Sequence, residues 1–514
     1  MSHLDKGSSI DPNSNNFTEF MIKRTYKDAI NALNSLQSNF ASVEALKKLG
    51  PSVNRNELSI NEVYEYTKRL GYSPSDFNKL NIIHVTGTKG KGSTCAFTES
   101  ILRQYQGSNK PIHKIGLYTS PHLKSVRERI RINGEPINKE LFTKYFFEVW
   151  DKLSTTKSDS KIWPTLQPNE TIKPMYFKYL TILSFHVFLK EGIDTAIYEV
   201  GVGGTYDSTN IIEKPIVTGI SALGIDHTFM LGNTINSITE NKTGIFKKNC
   251  PAYVSKQVEY PESEDIIKER GKELKVSSLE FVNDKLPENV ELGLSGDFQK
   301  ANAALAIRLA CTQLTKFNVE NLLTFDKEGN IINIPKEFIQ GLKSVNWPGR
   351  CQITKDGKIT WYIDGAHTIE SISASSKWFK EEHSKNEKDK RLALLFNQQG
   401  RENYKELLTK LYNEVSLKFD DVIFTPNVTW ESGDYNSELL SKNTSEDVVK
   451  RLEIQNDFSN IWSQLDNRSK RHVFSSIESS IKFLKEQDVE IDVFVCGSLH
   501  LVGGFQVVLD NDRD

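Results

Sequence analysis

The stretch His84-Val85-Thr86-Gly87-Thr88-Lys89-Gly90-Lys91-Gly92-Ser93-Thr94 joins an apolar run, Asn81 to Val85, to a helical pattern in which Ala96, Phe97, Ile101 and Leu102 share a face. A glycine-rich turn in that position aims backbone N–H groups inward, the following helix adds its positive end, and Lys91 supplies a mobile charge. This is the chemistry of a phosphate cradle, with a nucleoside triphosphate as its ligand; the same spacing without a ligand is a plain strand-to-helix turn. The strict G-x-x-x-x-G-K-[ST] pattern is not met. Val85 stands where its first glycine belongs and Gly92 where a metal-binding hydroxyl belongs, so that hydroxyl has to be sought elsewhere.

A second constellation follows the apolar run Thr195 to Tyr198: Glu199-Val200-Gly201-Val202-Gly203-Gly204-Thr205-Tyr206-Asp207-Ser208-Thr209-Asn210. A carboxylate at the end of a strand, beside glycines, is either an ordinary turn residue or the acid that holds a metal, and a phosphate loop in the same chain favours the second. Mg²⁺ keeps several waters, so one carboxylate, one hydroxyl and phosphate oxygens suffice for it. His227, in Gly224-Ile225-Asp226-His227-Thr228, reads as a neutral metal ligand or as a polar end residue. Asn241-Lys242-Thr243-Gly244 superficially resembles a guanine-reading N-K-x-D, but Gly244 offers no carboxylate to the base.

The elements that must position these residues alternate. After a polar start at 1–18, read as a disordered tail, Thr25 and Asp28 form a capping box for a helix carrying Ala29, Ile30, Leu33 and Leu36 on one face. Strands at 115–118, 195–198 and 216–223 surround an apolar helix at 177–188, and 152–174 reads as an inserted surface loop. A second series, with strands at 359–363, 392–396, 421–424 and 491–495, begins after Trp347-Pro348-Gly349. The balanced run Lys380 to Lys390 reads as a solvated helix end. The fold class is therefore α/β: an N-terminal P-loop nucleotide-binding domain with a mostly parallel sheet over 19–345, and a smaller Rossmann-like α/β domain over 346–514.

The 514 residues carry 65 Lys and Arg against 67 Asp and Glu, a net charge of −2 that offers no electrostatic case for nucleic acid or an anionic membrane. No apolar stretch approaches the ~20 residues needed to span a bilayer. Five scattered cysteines without C-x-x-C spacing argue against a disulfide framework or a thiolate zinc site and favour a reducing compartment. A cytoplasmic location is expected, with a mitochondrial pool only through an alternative start not visible here.

Six ordered blocks carry a resemblance: Thr86 to Thr94; Tyr118-Thr119-Ser120-Pro121-His122-Leu123 with Val126-Arg127-Glu128-Arg129-Ile130; Tyr198 to Asn210; Asp226-His227; Trp347-Pro348-Gly349-Arg350; and Asp364-Gly365-Ala366-His367. The chain resembles the folylpolyglutamate synthases of the Mur ligase superfamily, in their eukaryotic, fungal form, from Arg24 to Gly504. The resemblance implies a ligase that adds L-glutamate to the glutamate tail of reduced folates, tetrahydrofolate and its polyglutamates, releasing ADP and phosphate. The tail carboxylate takes the γ-phosphoryl group of ATP, and the amine of L-glutamate attacks the acyl phosphate, which has the leaving group that a carboxylate lacks.

By the same resemblance, Gly90, Lys91, Gly92 and Ser93 bind ATP phosphates, with Lys91 catalytic. Ser120 and Glu199 hold Mg²⁺, and His227 serves a second metal or its water shell; a monovalent cation is also admitted. Lys242 matches a lysine that is often carbamylated. An unmodified lysine with a pKa of about 10.4 would oppose metal binding unless shifted. Asn302 matches an adenine-side contact, and Arg350 and Asp364 match ATP contacts. His367 and Ser498 match positions near phosphate, glutamate or the attacking amine. Each has a plainer alternative: Arg350 as an interdomain ion pair, Asp364 and His367 as turn and helix-start residues. Thr368 departs from the Asn often found there in bacterial relatives.

Arg127, Arg129 and Arg131 suit an anionic polyglutamate tail and a half-solvated strand equally. Dihydrofolate synthase, or an enzyme doing both reactions, uses the same machinery; a nucleotide-dependent switch or scaffold would bind nucleotide without glutamate-dependent turnover. A monomer is expected, with no nucleic acid or membrane partner.

Overall fold

The computed structural model describes residues 24–37, 55–385, 390–398, 403–432, 438–439 and 451–512. The expected tail at 1–18 and residues 386–389 of the charged run lie outside them. Every residue of Ile83–Thr86 (β1) is buried, because this strand lies between two parallel neighbours and carries helices on both faces. The first sheet also contains Ile115–Tyr118 (β2), Ile130–Ile132 (β3), Glu135–Pro136 (β4), Thr195–Glu199 (β5), Val217–Ile220 (β6), Pro251–Ser255 (β7) and Ser278–Val282 (β8). Its order is β4-β3-β2-β5-β1-β6-β7-β8, parallel from β2 to β8, with β3 and β4 antiparallel at one edge. Such a sheet opens its ligand crevice at the carboxyl ends of its central strands.

On one face, the helices Lys91–Arg103 and Gln299–Lys316 pack through Ala96, Phe97, Ile101, Ala303, Ala306 and Ala310. Tyr176–Lys190 covers the other face with Leu180, Leu183 and Phe185, joined by Phe142 and Phe146 of Lys139–Thr155. The helix Tyr26–Ser35 has the expected Thr25–Asp28 capping box.

The segment 152–174 differs from a plain surface loop. Its first residues complete the helix Lys139–Thr155, and Asn169 and Lys173 are buried. The Arg69 guanidinium is held there by the carbonyls of Leu153 and Thr156. A cation whose donors are satisfied by main-chain oxygens orders its surroundings, which polar composition alone does not reveal.

After a separate two-stranded pair, Thr324–Phe325 (β9) and Ile331–Asn333 (β10), the second large sheet has Gln352–Asp356 (β11), Ile359–Ile363 (β12), Arg391–Phe396 (β13), Asp421–Phe424 (β14), Lys470–Val473 (β15) and Ile491–Cys496 (β16) in the order β11-β12-β16-β13-β14-β15. Only β11 runs antiparallel. Leu123 of the first domain enters the apolar cluster of Ile363, Val502 and Phe505. Gly503 lacks a side chain for the same reason: a Cβ there would meet the Leu123 carbonyl oxygen at 2.0 Å.

Candidate active site

The phosphate loop is laced to the end of β6. The amides of Thr88 and Lys89 donate to the Ala222 carbonyl at 2.9 and 3.0 Å, and Ser221 Oγ donates to the Lys89 carbonyl at 2.6 Å. These bonds explain why the apolar run 216–223 gives a strand of only 217–220: its last residues leave the sheet to hold the loop. Gly87 and Gly90 have positive φ, and a Cβ at Gly90 would lie 2.0 Å from Asn302 Oδ1. The helix Lys91–Arg103 starts immediately after Gly90, so the amides of Lys91, Gly92 and Ser93 have no acceptor within the helix. Lys91 Nζ reaches only the Thr88 carbonyl, at 3.5 Å.

Glu199 ends β5 as a buried carboxylate. Its Oε2 accepts the Ser120 amide at 2.9 Å, and burial raises its pKa against the opposing pull of Lys91, that amide and Arg350. A Cβ at Gly92 would lie 3.7 Å from Glu199 Oε1. Gly92, Ser120 and Glu199 are thus one cluster, although sequence separates them. An acid, a neighbouring hydroxyl residue and room for phosphate oxygens fit Mg²⁺, a hard ion that keeps several waters. His227 sits on the rim. It has φ 51°, a side chain 48% exposed, and its Nε2 is 3.9 Å from Asp226 Oδ2. Among the described residues, no three His, Cys, Asp or Glu side chains converge on one metal position.

Lys242 ends the helix Ile235–Lys242 with its side chain buried, and Nζ donates to the Gly87 carbonyl at 2.8 Å. Burial, with Lys91 nearby, holds its pKa well below the usual lysine range. Asn241 does not read a base. Its Oδ1 accepts the Gly204 amide at 3.0 Å, and Gly244 gives way to Thr205, whose Oγ1 would lie 2.0 Å from a Cβ.

The second domain brings Asp364, Gly365, Ala366 and His367 to the end of β12. Asp364 Oδ1 accepts the Ala366 amide at 2.9 Å and Oδ2 the Cys351 amide at 2.8 Å. Asp364 is therefore a turn-forming residue, and the helix start belongs to Thr368, which caps Ile369–Ser384. His367 Nδ1 donates to the Gly365 carbonyl at 2.9 Å, which fixes the orientation of the ring. Ser498 Oγ caps Leu499–Leu509, and the Gly497 amide donates to the Ala366 carbonyl at 3.0 Å, tying the two turns together. Arg350 contributes charge to both Glu199 and Asp364, yet forms no ion pair within 4.0 Å among the described residues.

The chain matches curated relatives almost end to end. It is 70% identical over 506 residues to the folylpolyglutamate synthase of Candida albicans, covering 96% of this chain and 98% of that protein. It is 52% identical over 495 residues to that of Saccharomyces cerevisiae strain FostersO, covering 95% and 88%. The chain belongs to the folylpolyglutamate synthase family. A family model described as "Dihydrofolate synthetase, C-terminal domain" matches residues 349–509. In fold it is similar to the Mycobacterium tuberculosis folylpolyglutamate synthase complexed with ADP, with TM-score 0.69 at 21% identity over 95% of this chain and 100% of that one. Escherichia coli FolC in complex with DHPP and ADP gives TM-score 0.63 at 22% identity over 96% and 99%.

Three residues at the site were not singled out from sequence. Asp207, inside the Glu199 block, accepts the Val202 and Thr209 amides and shapes the glycine turn. Lys89 pairs with Glu259 at 3.4 Å and with Glu370 of the second domain at 3.5 Å, crossing the cleft. Trp347 places its indole nitrogen beside Gly92. Asp207 was visible as an acid in a glycine-rich run; the other two depend on how the domains meet. Of the three arginines, 127 and 129 lie in a short 3-10 turn and only Arg131 is in strand. Arg129 is buried, donating to His122 Nδ1 at 2.9 Å, beneath Tyr176 and Phe177.

Proposed function

We infer that this chain adds L-glutamate to the terminal γ-carboxylate of reduced folates, tetrahydrofolate and its polyglutamates, at the expense of ATP. The observation that carries the mechanism is the cluster of helix-start amides, Lys91 and the Glu199–Ser120 pair, facing Arg350 from the second domain. The amides of Lys91, Gly92 and Ser93 receive phosphate oxygens, and Lys91 balances the charge that grows as the γ-phosphoryl group moves. Arg350, without a carboxylate partner among the described residues, adds charge from the opposite side. Asn302, which closes against Gly90, and the cleft of about 450 Å³ between Phe298 and the helix at Ile369–Ser384 would take the nucleoside end of ATP.

Glu199 and Ser120 would hold Mg²⁺, with His227 serving a second ion through water; bound there, the metal neutralises phosphate charge. Lys242, whose pKa burial lowers, would become a carboxylate-like group near Asp226 and Asp207 if its amine took up CO₂ with loss of a proton. His367 Nε2 takes the proton from the attacking glutamate amine. Ser498, capping its own helix, keeps the glutamate side of the cleft in shape. With Leu123 packed into the second domain's core, the two domains would close over the acyl phosphate and keep from it the water that hydrolyses it. A monomer contains every residue named, and the cytoplasm is its proposed location.

A second reading, glutamate addition to dihydropteroate, is favoured by the dihydrofolate synthetase description matched at 349–509. Purified protein with Mg-ATP and radiolabelled L-glutamate, given tetrahydrofolate monoglutamate, dihydropteroate or no acceptor, separates them. Label on tetrahydrofolate is expected. Label on dihydropteroate would add or substitute the second activity, and nucleotide binding with no label on either would return the site to a switch.

A further inference from the structure

We propose that the Trp347 indole N–H, placed beside Gly92, is a hydrogen-bond donor to the γ-phosphoryl group during its transfer. This rests on the ligase reading above. A Cβ built on Gly92 would lie 3.4 Å from Trp347 Nε1 and 3.7 and 3.8 Å from the two Glu199 oxygens. The indole nitrogen therefore stands beside the second residue of the helix whose amides face the ligand, a residue that Glu199 also borders. Trp347 is half-buried, and its Nε1, which can only donate, has no acceptor among the described residues, so that N–H is open to a ligand.

The ring is also held, which a merely space-filling side chain does not require. The Arg131 guanidinium lies over it, 5.0 Å from the ring centroid. Arg131 is anchored in turn by its bond to the Gly134 carbonyl at 3.4 Å and by the buried carboxyl of Glu99, on the same helix as Gly92. The rest of the indole packs against the core beneath the phosphate loop. Trp347 also begins the junction leading to Arg350. The indole is thus oriented by residues of both flanks of the loop, and its one polar atom faces the site.

In the transfer, an oxygen of the folate carboxylate forms a bond to the γ-phosphorus while the bond from that phosphorus to the ADP oxygen breaks. Charge stays spread over the three non-bridging oxygens, and one of them accepts the Trp347 hydrogen bond without taking the proton. A donor aimed where charge is held in the transition state accelerates the step more than it tightens substrate binding. A Cβ at 92 would make ordinary contact with the indole, so the donor and the helix start lie side by side at this point of the loop.

Trp347→Phe keeps a ring beneath Arg131 and removes only the N–H; Trp347→Ala removes both. For Trp347→Phe we expect kcat to fall about 100-fold with little change in the KM for folate. Affinity for AMPPCP, which keeps three phosphorus groups, should weaken about tenfold while affinity for ADP stays the same. Wild-type kcat and wild-type AMPPCP affinity in Trp347→Phe, with loss confined to Trp347→Ala, would overturn the proposal and leave the indole as packing alone. A wild-type protein without ligase activity would refute the ligase reading, whereas the comparison of AMPPCP with ADP would still decide the hydrogen bond.

Discussion

The phosphate loop of the first domain and the Asp364 turn of the second border the same cleft but treat their polar groups in opposite ways. In the loop, the amides of Lys91, Gly92 and Ser93 lack helical acceptors, Lys91 Nζ has one distant carbonyl, and Glu199 accepts one amide. In the turn, Asp364 uses both oxygens on its own backbone, His367 Nδ1 is fixed by Gly365, and Ser498 and Thr368 cap helices. The first region keeps its charge for a ligand; the second uses hydrogen bonds to hold a shape, with Arg350 as the charge it turns toward Glu199 and Asp364. Losses in the loop should therefore appear in chemistry, and losses in the turn in stability as well.

The largest effect is expected from Lys91→Ala. Glutamate-dependent ADP release should fall by more than about 1000-fold with an unchanged circular dichroism spectrum; full turnover would remove the loop from the mechanism. Glu199→Gln should keep the fold and raise the Mg²⁺ concentration for half-maximal rate by at least about tenfold, read from a magnesium titration. Asp364→Asn leaves one of two backbone amides without its carboxylate and should cost about 2 kcal/mol in urea unfolding, together with activity. A variant that loses activity at full stability would make Asp364 a ligand contact in the manner of the loop. Ser498→Ala should cost about 1 kcal/mol as a lost helix cap and leave the KM for glutamate within about twofold; a large rise in that KM would give Ser498 a part in binding.

A further effect is a pH dependence. His84, on β1, is fully buried against Thr209 Oγ1 at 2.9 Å, and burial pushes its pKa down to about 3. The unfolded chain binds a proton at this residue below pH ~6.5 and the folded chain does not. This group's contribution is therefore intact above that pH and is lost as pH falls toward about 3, by up to about 1.4 kcal/mol per pH unit. Urea midpoints from pH 7.5 to 5 for wild type and His84→Asn should converge toward acid; parallel curves would mean that the histidine is protonated inside the fold.

Elements with strong local signals are legible in the sequence. The strands at 115–118, 359–363 and 421–424 and the capped helix at Tyr26 occupy the expected residues, because period and capping chemistry act over a few positions. The run 216–223 shows the limit: the same apolar residues serve as strand up to Ile220 and as loop support beyond it. Arg127, Arg129 and Arg131 alternate as a strand would, yet a 3-10 turn takes the first two and buries Arg129 under aromatic rings.

Residue order alone was enough to determine the phosphate loop, the two alternating α/β series and the chemical types available to the site, since glycine conformation, helix-start polarity and side-chain period are local properties. Only the tertiary structure decided that Asn302 closes against Gly90, that Lys242 is buried on the Gly87 carbonyl, and that Trp347 and Glu199 share the space beside Gly92. Those contacts join segments far apart in the chain. They depend on the order in which the strands enter the sheet and on the docking of the second domain, neither of which leaves a periodic trace in the residues that meet.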